Sequence, residues 1–168
     1  MDPSADEIAG VTDQFGALTR EELATALAEL AFKRGDGHDP SAFEADIDAA
    51  IRSYHLVAVE DAGTAETTES LLVTGPAAFP VLPEGGADLP HIMDVPDRRP
   101  GAEAVAEAAE RQFRADAAAA VETGESGRIA DLLDLSYELE AWGPVDLHRT
   151  RERLDDARED SRDGPPTN

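Results

Sequence analysis

Apolar residues recur along the first third of the chain at the spacing of helix faces. Ile8, Val11 and Phe15 stand at i, i+3 and i+7 behind "SADE", where Ser4 and Glu7 form a capping box. They predict a helix ending near Gly16. Thr19 and Glu22 repeat the box in "TREE", ahead of Leu23, Leu27 and Leu30 on one face. "KRGDGHDP" then breaks the second helix with two glycines and starts a third, with Asp39 as N-cap and Pro40 at the first helical position. Phe43, Ile47, Ile51 and Tyr54 give that helix a continuous apolar stripe.

After Tyr54 the period shortens to that of a strand. "HLVAVED" predicts a strand from about Leu56 to Glu60, "LLVTG" a second, and "AGTAETTES" a polar connection between them. Three helices followed by a hairpin is the winged-helix order, and "GALTREEL" fits the opening of a helix-turn-helix. The competing reading is an α+β helical domain with an incidental hairpin. The expected fold class is mostly α (α+β), with a winged-helix-like unit over residues 4–75.

Residues 76–100 are rich in Pro and Gly. "GPAAFPVLP" predicts a single helical turn around Phe79, and "EGGADLPHIMDVPDRRP" an extended connector. Leu89, Ile92, Met93 and Val95 make it too apolar for a free linker and are expected to pack on a surface groove. A helical unit follows over 101–158. Its first helix, 101–122, carries the stripe Val105, Ala109, Phe113, Ala117 and Val121. "RIADLLDLSYELEAW" predicts one helix or two short ones, ended by Gly143-Pro144, and Asp146 caps the last. Residues 159–168 read as a disordered tail.

Composition then narrows the setting. Of 168 residues 41% are hydrophobic, but aromatics are only 5%, so the expected core is thin and helix-rich. Net charge is −23, distributed as −12 over residues 1–75, −2 over 76–99 and −9 over 100–168. A disordered acidic tail would gather that charge in one block. Here the acids alternate with apolar residues and form solvated helix faces. Lys33 is the one lysine among 14 basic residues. Many acids with almost no lysine is the composition of a cytosolic protein kept soluble at high salt; a basic partner would explain the acids but not the missing lysines. "MDPSADEIAG" has neither the positive nor the apolar region of a secretion signal, and no run is long enough for a membrane span. The expected location is the cytoplasm.

"GALTREELATALAELAFKRG", "SYHLVAVED" and "LLVTGPAAFPVLPEGGADLPHIMDV" together resemble a haloarchaeal family of acidic proteins without an assigned activity, over about residues 4–154. The resemblance implies a halophilic cytosolic origin and a winged-helix-like start. It brings no catalytic or binding residues with it.

Chemistry is sparse. With no cysteine there is no disulfide, thiolate metal site or Cys nucleophile. His38, His55, His91 and His148 lie in separate segments, and no two stand at i, i+4 as a metal-binding helix requires. No phosphate-binding glycine loop is present, and Asp94 with Asp97 is an unremarkable acidic pair among 37 acids. No catalytic residue, metal or cofactor is expected.

For DNA the candidate contacts are Lys33, Arg34, Arg52, Ser53 and His55, with Thr64, Thr67 and Thr68 at the wing among Glu66 and Glu69. At 1 M salt the screening length is about 3 Å, so neither global repulsion nor counterion release decides binding. Close contacts must carry it, and one arginine on the third helix is too few to read several bases. For a protein partner the candidate contacts are Arg98 and Arg99, able to grip a carboxylate, and Trp142, which would otherwise pack the last two helices together. The alanine-rich helix is a possible dimer seam, with burial against its own chain the simpler outcome. The expectation is a non-enzymatic regulatory or adaptor module binding a protein, with a sequence-specific DNA-binding regulator as the alternative.

Overall fold

Ser4 and Thr19 start their helices by the same reciprocal device. In the computed structural model, which describes residues 1–60 and 69–164, the Glu7 N–H donates to the Ser4 hydroxyl and the Ser4 N–H to the Glu7 carboxylate, at 3.1 and 2.8 Å. Thr19 and Glu22 make the same pair of bonds at 3.2 and 2.9 Å. These contacts satisfy first-turn amides that have no partner within the helix. α1 spans Ala5–Phe15 and α2 spans Arg20–Lys33. Between them Leu18 and Thr19 form the two-residue strand β1, which the sequence pattern does not announce.

A 3-10 turn, Pro40–Phe43, leads into α3, Glu44–Arg52, and Asp39 makes no side-chain cap bond. The stripe behaves as its spacing predicts: Phe43, Ile47 and Tyr54 are buried and Ile51 half-buried. Tyr54 leaves the helix with φ 62°, a left-handed conformation that costs a non-glycine residue about 1 kcal/mol. Two backbone bonds hold it there, Gly75 N–H to the His55 carbonyl at 2.9 Å and Ala77 N–H to the Tyr54 carbonyl at 3.0 Å. A Cβ at Gly75 would lie 2.3 Å from the Tyr54 carbonyl oxygen, so only glycine admits this approach.

β2, Leu56–Val59, pairs antiparallel with β3, Leu71–Thr74, in the register Leu56↔Thr74 to Val59↔Leu71. β3 also pairs antiparallel with β1, Leu18↔Leu72 and Thr19↔Leu71, giving the sheet order β1-β3-β2. The expected wing residues Thr64, Glu66, Thr67 and Thr68 lie outside the described residues. The sheet and three helices close on a core that includes Ile8, Val11, Leu23, Leu27, Phe43, Ile47, Leu56 and Leu72.

The segment after β3 departs from its expected form. No helical turn surrounds Phe79, which is exposed. Instead the chain runs over α1: the Phe79 N–H donates to the Asp6 carboxylate at 2.8 Å and the Val81 N–H to the Asp6 carbonyl at 3.0 Å. Gly10 permits the crossing, since a Cβ there would sit 2.1 Å from the Val81 carbonyl oxygen. The stretch expected to be extended contains a 3-10 turn, Gly86–Asp88, and the one-turn helix α4, Leu89–Ile92. That turn carries Leu89 and Met93, four apart, to the core and leaves Ile92 half-exposed, so Ile92 does not pack as predicted.

The chain divides into two compact units, Met1–Val105 and Ala106–Asn168, and the Pro- and Gly-rich segment belongs to the first. The later helices are α5, Ala102–Thr123, α6, Ser126–Trp142, and α7, His148–Arg162. The buried stripe of α5 shares Ala109, Phe113 and Ala117 with the expected one but ends on Ala106 and Ala120, not on Val105 and Val121; Val121 is 40% exposed. α6 is one helix, burying Ile129, Leu132, Leu133, Ser136 and Leu139. Arg151 ties α7 to it: its Nε donates to Ser136 Oγ at 2.9 Å, its guanidinium lies 4.1 Å over the Tyr137 ring, and it pairs with Glu140. α7 continues to Arg162, into the stretch 159–168 read as a disordered tail, with the Ser161 hydroxyl donating to the Ala157 carbonyl. The chain is thus mostly helical with a small three-stranded antiparallel sheet, an α+β protein. Among the described residues no helix is long and apolar enough to cross a membrane.

Candidate functional site

The third helix carries Glu44, Asp46 and Asp48, and the first question is whether these acids face a ligand. Two do not. Glu44 and Asp48 stand four apart, on one side of α3, and Arg20 at the start of α2 bonds both, at 3.0 and 2.8 Å. Burial alone would lower the Arg20 pKa. Its hydrogen bonds to Asp48 and Glu44 and their charges outweigh that and hold the guanidinium above its ordinary range.

The candidate nucleic-acid contacts are mostly occupied within the first unit. His55 Nδ1 lies 2.7 Å from Ser53 Oγ, and His55 Nε2 lies 3.5 Å from Asp6 Oδ1. A Ser–His–Asp line raises the thought of a nucleophile. The Ser53 hydroxyl also lies 3.3 Å from the Ala50 carbonyl, to which it can donate, so it links the end of α3 to the imidazole. Asp6 Oδ1 already accepts the Phe79 N–H. These three residues brace the end of α3 against α1. Lys33 bonds Asp88 at 3.3 Å and fastens the chain ahead of α4 to the end of α2. Arg34, the residue that closes α2, and Arg52 are exposed.

Of the candidate partner contacts, Arg98 faces inward. It is buried, and its Nη1 and Nη2 donate to Glu22 Oε2 and Oε1 at 2.7 and 2.9 Å. It grips a carboxylate as its geometry suggests, but one of this chain. Burial pushes the Glu22 carboxyl up; the bonds from Arg98, the Thr19 N–H and the Arg98 charge outweigh that and hold it below the usual range. Arg99 is exposed, 3.4 Å from Asp97. Trp142 ends α6 and is 37% exposed.

Glu22 and Arg98 also line a groove of about 510 Å³ on the first unit. Glu21, Thr25 and Glu29 of α2 form one wall; Ile92, Met93, Asp94 and Val95 form the other. The pattern of α2 shows these polar positions, but nothing local in the sequence shows that residues 92–95 would lie beside them. The Arg20 clamp was equally out of reach, its only trace being two acids four apart on α3. Among the described residues no group of three or more His, Asp or Glu is arranged to hold a metal ion.

No curated protein and no solved structure matches the chain. Residues 6–159 match the model of a family of unknown function, DUF7109, and the chain belongs to that family.

Proposed function

We propose that the chain is a non-enzymatic regulatory or adaptor protein of a high-salt cytoplasm that binds a protein partner through a winged-helix-like first unit. The winged-helix reading is supported by the element order α1, β1, α2, α3, β2, β3 with the sheet order β1-β3-β2. The halophilic reading rests on the net charge of −23 with a single lysine, Lys33. One observation carries the preference for protein over DNA: the polar groups around α3 are used inside the unit. Arg20 takes up Glu44 and Asp48, Ser53 and His55 brace the helix end, and Lys33 holds Asp88. Direct readout needs several donors aimed at base edges. The remaining surface, acidic with half-exposed apolar residues such as Ile92, suits a protein.

The deciding experiment is tagged co-purification at native multi-molar KCl followed by mass spectrometry. A reproducible partner is the expected result, and repeated recovery of the protein alone overturns the reading. Genome-wide crosslinking in the same cells tests the DNA-binding alternative. Enrichment at discrete promoters would transfer the protein to that class, and unchanged occupancy with Arg52→Glu would then remove α3 as its reader.

A further inference from the structure

The second unit has a groove whose charge runs against the rest of the chain. It lies between the C-terminal half of α5 and the first turns of α7 and has a volume of about 800 Å³. Ala117, Ala118 and Val121 make its apolar floor. Arg114, Arg149 and Arg153 line it with His148, three of only 14 bases in a chain with 37 acids. Glu122 and Asp146 also line it. Asp146 is engaged by the start of α7, where its Oδ1 accepts the His148 N–H at 3.1 Å. His148 in turn lies 3.3 Å from Glu152, and Arg114 pairs with Glu110 at 2.5 Å. Arg149 and Arg153 are exposed and four apart on α7, which puts their side chains on one face about 6 Å apart.

We infer that this groove docks an acidic amphipathic helix of a partner protein, an inference that rests on the partner-binding reading above. The helix would lay an apolar stripe on Ala117, Ala118 and Val121, whose small side chains let a backbone come close. Carboxylates at i and i+4 beside that stripe would meet Arg149 and Arg153. Arginine suits this role at high salt, because its fork of donors holds a carboxylate by geometry at contact distance, while salt erases attraction at longer range. A nucleic-acid strand fits less well: apart from the His148 imidazole, no lining side chain offers a ring for base stacking.

The test uses the full chain and a fluorescently labelled synthetic peptide of about 20 residues, long enough to hold a helix. Its leucines stand at i, i+3, i+4 and i+7 with glutamates beside them, and anisotropy is read in about 2 M KCl. Saturable binding is expected, weakened about tenfold when the glutamates become glutamines and to a similar extent by Arg149→Ala with Arg153→Ala. Far-UV circular dichroism of that variant should match wild type; if it does not, Arg149→Lys with Arg153→Lys keeps the charge, removes the fork and is expected to lose affinity severalfold. Equal affinity for the two peptides, or for wild type and a folded variant, overturns the inference. Tighter binding of a single-stranded oligonucleotide of equal charge also overturns it and assigns the arginines to phosphates. Co-purification separates this inference from its premise: a cellular partner retained by the double variant overturns the groove alone, whereas a wild type that recovers nothing overturns both.

Discussion

Arg98 and Glu22, 76 residues apart, meet through both terminal guanidinium nitrogens and both carboxylate oxygens. Glu22 Oε2 also accepts the Thr19 N–H, so one carboxylate caps α2 and anchors the segment that follows the sheet. Glu22→Ala therefore removes a cap bond and strands a buried guanidinium, and is expected to cost about 3 kcal/mol. Thr19→Ala loses only its side of the capping box, about 1 kcal/mol. Denaturant unfolding at fixed KCl measures both, and equal costs would show that the Arg98 pair adds nothing.

The same pair makes stability depend on pH. The Glu22 carboxyl is held below its ordinary value of 4.5. A depressed folded pKa gives stability that is present above the unfolded value and is lost as pH falls through the folded one. The stability gap between wild type and Glu22→Gln is expected to stay constant from neutral pH down to about 5, then to narrow below about 4.5. A gap that does not change across that acid range would falsify the assignment.

Gly10 and Gly127 should respond to alanine with opposite signs. Both are helical, and helix propensity alone favours alanine by up to about 1 kcal/mol. At Gly127 a Cβ meets nothing within 4 Å, so Gly127→Ala is expected to stabilise by about 0.5 kcal/mol in the first turn of α6. At Gly10 a Cβ would lie 2.1 Å from the Val81 carbonyl oxygen, and backbone must move. Overpacking of that kind costs about 2 kcal/mol or more and wins, so Gly10→Ala is expected to destabilise. Thermal melts of the two variants report the signs directly.

Salt should control folding itself. At about 0.05 M salt the screening length exceeds 10 Å, and repulsion among charges summing to −23 is unmasked. Helical circular dichroism is expected to collapse on dialysis and return with KCl. Arg20→Ala leaves Glu44 and Asp48 facing each other uncompensated and is expected to raise the KCl midpoint. An identical midpoint would mean that the clamp contributes nothing measurable, as many exposed ion pairs do not.

Local signals were legible in the sequence, and meetings between distant segments were not. Both capping boxes and the Phe43–Ile47–Ile51–Tyr54 stripe follow from side chains three or four residues apart; the first two helices start where the boxes place them, while the third begins as a 3-10 turn and becomes α-helical at Glu44. β1 escaped because two residues have no period of their own; β3 makes them a strand. The inward turn of Arg98 was hidden for the same reason, since only the folded chain brings Glu22 to it. α5 shows a finer error: valines outrank alanines on any hydropathy scale, yet the buried stripe ends on Ala106 and Ala120.

Thr19 belongs to two elements at once. Its backbone sits opposite Leu71 in the sheet, and its hydroxyl accepts the Glu22 N–H that opens α2. The strand register and the start of the helix thus share one residue. Glu22 is a near neighbour of Thr19 in the chain and Leu71 a distant one, so the helix cap is a local contact and the strand pairing a long-range one. Closing the long-range pairing is expected to be slower than forming the local cap.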